Sequence, residues 1–196
     1  MKNWRLWILL GGFIAVSAAF LFLNFHAAVS STQSEKNVTK TSIGDGMPLA
    51  MEHREPITIV RDGEGPMAST LQAALERELR NAGIGEIELA QGLEPVYPNP
   101  VLILKVGQPA LNWTPFFAYS QFTIQTGYTS TGDTLFMSDA PVTMDNKNGP
   151  ALAMHGEYKV NDRSWGLISR PGYHQILADY LAQQIVTALK ELYRVV

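Results

Sequence analysis

Leu6 to Phe25 (LWILLGGFIAVSAAFLFLNF) is a run of 20 residues without a charge, and it constrains this chain more than any other feature. At ~1.5 Å per residue, a helix of that length matches the ~30 Å hydrocarbon core of a bilayer. Lys2 and Arg5 precede the run, whereas His26 to Ser34 after it holds neither Lys nor Arg. The positive-inside rule then puts the N-terminus in the cytoplasm and the remainder outside it. The expectation is a cytoplasmic stub and transmembrane anchor over residues 1–26, making a single-pass cell-membrane protein held to the membrane through Leu6–Phe25. A cleaved signal peptide is the alternative, because Ala28-Val29-Ser30 puts small residues where cleavage after Ser30 would need them, and the product would be secreted. A core helix is the poorer reading, since aromatics and leucines occupy every face of the run.

Residues 27–56 read as a flexible linker. Ser, Thr, Gln, Asn, Lys and Gly dominate there (SSTQSEKNVTKTSIGDGMP), and such a stretch buries too little apolar surface to offset its ordering entropy. The folded extracytoplasmic domain is then expected over 57–196. Ile57-Thr58-Ile59-Val60 is β-branched throughout and reads as a strand. A helix follows: Leu71, Leu75 and Leu79 recur every four residues, Ser69 and Gln72 form a capping-box pattern, Glu76 and Arg80 can pair, and Gly83 sits where a left-handed C-terminal cap belongs.

Glu86–Leu89 suggests a short edge strand and Val101–Val106 a stronger one. Phe122, Ile124, Thr126 and Tyr128 share one face of a further strand, as do Leu152, Met154, Tyr158 and Val160 of another. Asn161-Asp162-Arg163 reads as a hairpin turn toward Trp165–Ile168. The last helix is expected from about Gly172 to Arg194, with Pro171 in its first turn and Ser169 as its cap. The fold class is α+β: an N-terminal transmembrane helix, then a mostly antiparallel sheet packed by two helices in the order β-α-β-meander-α.

Chemistry is scarce in this chain. It has no cysteine, which removes disulfides, thiolate nucleophiles and Cys-based metal sites. The net charge of −3 leaves no basic footprint for nucleic acid. His26, His53, His155 and His174 show no metal-ligand spacing, and no nucleophile elbow or phosphate-binding glycine loop occurs. The reading is therefore no metal, no cofactor and no catalytic residue. One segment stands out: Leu111–Tyr119 packs Trp113, Phe116, Phe117 and Tyr119 around Pro115. Aromatics on such an irregular segment are candidate partner-binding residues, against a competing reading in which they fill the edge of the core.

The order of an amphipathic helix (Ser69-Thr70-Leu71-Gln72-Ala73-Ala74-Leu75), strands and a long terminal helix resembles small bacterial envelope proteins. The nearest are the lipopolysaccharide-assembly lipoproteins and the ABC-transport auxiliary lipoproteins. The resemblance covers about 57–196 as pattern alone, and the chain lacks those families' lipidated cysteine. It implies a sheet with two helices, and an envelope protein as partner.

The functional expectation is a membrane-anchored extracytoplasmic binding or adaptor domain, a non-catalytic part of a cell-envelope assembly. The alternative is a membrane-tethered hydrolase with a dispersed carboxylate pair such as Asp139 and Asp145. A third option, a structural subunit of a larger complex, predicts an exposed apolar edge.

Overall fold

The computed structural model of this chain describes residues 4–43, 56–134 and 151–193. In chain order these are α1 (Trp4–Phe22), β1 (His26–Ile43), β2 (Ile57–Asp62), α2 (Pro66–Asn81), β3 (Ile87–Gln91), β4 (Val101–Val106), β5 (Ala110–Thr114), β6 (Phe117–Thr129), β7 (Ala151–Ile168) and α3 (Arg170–Leu192). The strands form one seven-stranded sheet in the order β1-β7-β6-β4-β2-β3, with β5 paired to β6.

The sheet is mixed, which corrects the mostly antiparallel meander read from the sequence. β2 pairs in parallel with both β3 and β4, while β4–β6, β6–β7 and β1–β7 are antiparallel. The reason is α2: a helical crossover brings the chain back in the direction it left, so β3 must lie parallel to β2. The apolar stripe of α2 is where the leucine spacing puts it, with Leu71, Leu75 and Leu79 fully buried. Its start is not. The helix begins at Pro66 with Gly65 before it, and Ser69 lies inside the first turn, donating to the Pro66 carbonyl at 3.0 Å rather than capping. At the other end Gly83 takes φ +94°, and the Ile84 amide closes back onto the Leu79 carbonyl at 3.1 Å.

The transmembrane anchor is overturned, and with it the single-pass localisation. Among the described residues no helix is long and apolar enough to cross a membrane. The apolar run stays helical only to Phe22, leaving Leu6–Phe22, about 25 Å of helix against a ~30 Å core. Its last residues serve the fold instead. The Phe25 amide donates to Ser169 Oγ at 2.9 Å, and the Phe25 carbonyl accepts from the Ser169 hydroxyl at 2.8 Å and the Ser169 amide at 3.0 Å. From Trp7 to Val16 every residue of α1 is exposed, and Ser17 to Phe20 are half-buried.

Residues 27–43, read as part of a linker, belong instead with His26 to an 18-residue strand paired with β7 without interruption from His26–Ile168 to Ile43–Ala151. Ser30 lies within it, so the cleavage site of the signal-peptide alternative falls inside the sheet. Asn161-Asp162-Arg163 is likewise mid-strand in β7, not a turn.

α2 and α3 cover one face of the sheet. Under them lie Ile57, Ile59, Leu102, Leu104, Phe122, Ile124, Tyr128, Met154, Tyr158 and Val160, packed on Leu71, Leu75, Tyr173, Leu177, Leu181 and Ile185. On the opposite face a small cluster of Val60, Val101 and Ile103 is closed by Tyr97 from the β3–β4 connection. Among the described residues, no helix packs on the rest of that face, over β6, β7 and β1.

Candidate functional site

Strand alternation places opposite chemistry on the two sides of β1, β6 and β7. Toward α3, Asp162 is fully buried, and among the described residues no basic side chain pairs with it. Hydroxyls satisfy it instead. Ser30 and Thr32 each donate to Oδ1 at 2.7 Å, while Ser164 and Tyr173 donate to Oδ2 at 2.9 and 2.7 Å. Ser120 Oγ stands 3.0 Å from the Tyr173 hydroxyl. Burial drives the Tyr173 phenol far above its ordinary range; the Ser120 hydrogen bond opposes that rise and the Asp162 carboxylate adds to it. The network ties β1, β6, β7 and α3 together. A catalytic carboxylate must reach its substrate, and Asp162 has no exposed surface with which to do so; its place is structural.

The other side of the same strands is open. Ser31 and Gln33 of β1, Tyr119 of β6, and Asn161 and Arg163 of β7 line a shallow depression of about 370 Å³. In register, Ser31 faces Arg163, Arg163 faces Tyr119, and Gln33 faces Asn161, so the lining spans three strands in two adjacent rows. Its polar groups are hydroxyls, amides and one guanidinium, with no carboxylate. One row toward the α3 end of the sheet, Val29, Trp165 and Phe117 lie side by side. Trp165 is 63 % exposed and packs on Phe117 with ring centroids 4.4 Å apart. In the opposite direction Lys159 stands between two carboxylates, 3.4 Å from Glu157 and opposite Glu35 of β1.

The four aromatic residues named from the sequence separate in the structure. Pro115 and Phe116 make the two-residue turn between β5 and β6, leaving Phe116 66 % exposed at its tip. Trp113 is half-buried against the core and donates its indole N–H to the Ile168 carbonyl at 3.2 Å. Phe117 supports Trp165, and Tyr119 lines the depression, its hydroxyl 3.3 Å from Gln121 Oε1. Trp165, open to the same two readings as those aromatics, is exposed; Arg163, Asn161, Ser31 and Gln33 were not singled out. The signal that could have found them was period-two alternation carried through Asn161-Asp162-Arg163-Ser164-Trp165 instead of stopping at a turn.

The histidines stay apart. His26 and His155 are exposed on β1 and β7, and His174 is buried in the first turn of α3; burial first, and the Arg170 charge second, hold it below its ordinary value. Among the described residues no three potential ligands gather into a metal site. His53, Asp139 and Asp145 lie outside the described residues.

The fold and the open face together define a small α+β domain with a bare polar sheet surface. No family model matches the chain, and neither does any curated protein. Among solved structures it is similar to a PelC dodecamer subunit from Paraburkholderia phytofirmans, at 14 % identity over 80 % of this chain and 98 % of that one, TM-score 0.41. It is also similar to a minor lipoprotein from Acinetobacter baumannii, at 13 % identity over 69 % and 92 %, TM-score 0.33. A minor lipoprotein thus stands among its structural neighbours. At such scores neither likeness carries an argument about function.

Proposed function

We propose that the chain is a non-catalytic binding or adaptor module that engages its partner through the open face of β1, β6 and β7. The observation that carries this reading is the depression formed by Ser31, Gln33, Tyr119, Asn161 and Arg163, bordered by Trp165 and Phe117. Helices cover the opposite face, so this is the surface where polar groups from three strands converge in reach of another molecule. The pattern resemblance to small envelope proteins suggests an envelope assembly as the setting.

The test is site-specific photo-cross-linking in cells, with the photoreactive residue at position 161 or, as a control, at position 76 on the outer side of α2. Adducts form from position 161, not from 76, and the second substitution Arg163→Ala reduces them at least tenfold. Adducts confined to position 76, or adducts from 161 that Arg163→Ala leaves unchanged, would remove the open face from the reading.

A further inference from the structure

We propose that the open face seats an amphiphilic anion, with the oxyanion on the Arg163 row and the apolar part on the Trp165 row. This deepens the binding reading above and rests on it. On this face Lys159 is accounted for by Glu157 at 3.4 Å and by Glu35 opposite it. Arg163 is exposed and makes no ion pair among the described residues, and the groups around it are Ser31, Gln33, Tyr119 and Asn161. The depression thus offers a guanidinium fork, two amides and two hydroxyls, and nothing that repels an anion. A carboxylate or a phosphate accepts from a fork of that kind through two parallel hydrogen bonds.

The neighbouring row is apolar. Trp165 follows Arg163 by two residues on the same side of β7, a separation of ~6.6 Å. Val29 is 79 % exposed beside it, Phe117 supports its ring, and Leu167 is 45 % exposed one step further. Arg170, at the start of α3, is a second exposed cation at this end of the sheet. A free inorganic anion would use the Arg163 row alone and leave this apolar row wet. A neutral sugar would leave the Arg163 charge unmatched, and a plain hydrocarbon would leave the polar row unused. A molecule with an oxyanion joined to an apolar body uses both. Such a group could come from the headgroup of an anionic lipid or from a soluble amphiphile, and the chemistry recognised is the same.

The experiment uses the full chain in an uncharged detergent, with Trp4→Phe and Trp7→Phe so that emission reports on Trp165; Trp113, half-buried against the core, is the internal reference. Octyl phosphate is titrated against inorganic phosphate and octyl glucoside. Octyl phosphate shifts the emission saturably, at least tenfold more tightly than either comparison compound. Arg163→Gln weakens it at least tenfold without changing the unfolding midpoint. A parallel arm measures binding to phosphatidylcholine vesicles with and without phosphatidylglycerol. Sensitivity to Arg163→Gln only when phosphatidylglycerol is present assigns the headgroup as the source; sensitivity confined to octyl phosphate assigns a soluble amphiphile. Equal binding of inorganic phosphate removes the apolar half of the proposal, and equal binding of octyl glucoside removes the anion. No saturable response overturns it entirely, while cross-links from position 161 that depend on Arg163 would still uphold the binding face.

Discussion

The two sides of β7 differ by one residue of register and by almost everything else. Asp162 and Ser164 are fully buried beneath α3 and joined to β1 and Tyr173. Asn161, Arg163 and Trp165, their neighbours in sequence, are exposed. On one side the polar groups are consumed by each other; on the other they are left for something else. The contrast shows how one stretch of strand can supply both a lock and a landing surface. Burial decides which polar residues hold the fold and which remain free to recognise.

The strongest way to break the comparison is to empty the buried side. Asp162→Ala takes the carboxylate acceptor from the hydroxyls of Ser30, Thr32, Ser164 and Tyr173 at once, leaving Ser30 and Thr32 only each other and Tyr173 only Ser120. Unfolding in denaturant should show a loss of about 3–5 kcal/mol, as expected for removing the centre of a buried polar network. A loss below about 1 kcal/mol would mean that the hydroxyls find other partners. Next comes the apolar part of the same side. Leu181 is fully buried in the core from α3, and Leu181→Ala should cost about 2–5 kcal/mol by the same measurement.

A pH series sharpens the picture without a large perturbation. His174 is held below its ordinary value of 6.5, by burial first and by the Arg170 charge second. Below 6.5 the unfolded chain therefore takes up a proton that the folded chain refuses, and stability is lost as the pH falls. Denaturant midpoints should decline from about pH 7.5 to about pH 5, and His174→Gln should flatten that decline. The smallest effect belongs to the open side. Arg163→Ala and Asn161→Ala should each change stability by no more than about 0.5 kcal/mol, although Arg163→Ala abolishes most cross-linking from the face. A larger loss of stability would show that the open side also holds the fold.

How much of this was legible depended on where apolar residues set the pattern. Leu71, Leu75 and Leu79 marked the buried stripe of α2, and Phe122, Ile124, Leu152, Met154, Tyr158 and Val160 marked the helix-facing side of β6 and β7. The Glu76–Arg80 pair, at 2.9 Å, and the Ser169 cap, accepting from the Gly172 amide at 3.1 Å, were also readable from local chemistry. β1 was not. Its Ser, Thr, Gln and Lys residues carry no hydrophobic period, and what holds it is main-chain pairing with β7 and hydroxyl bonds to Asp162, both long-range in sequence. The site failed for the same reason: Asn161-Asp162-Arg163 has the composition of a turn, and only the partner strands on either side make it extended. The N-terminal run misled by being counted to Phe25, when its last residues belong to the clasp with Ser169.

That clasp has a mechanical consequence. One hydroxyl, Ser169 Oγ, receives the Phe25 amide, donates to the Phe25 carbonyl and caps α3 through Gly172. Gly172 has no room for a methyl group, because a Cβ there would run into Phe25 and Ser169 Oγ. A tug on α1 would therefore reach the first turn of the longest helix before it reached any strand. The joint is a knuckle through which load on the N-terminal arm is handed to the α3 side of the sheet, and the Trp165 surface rides on the same end of the molecule.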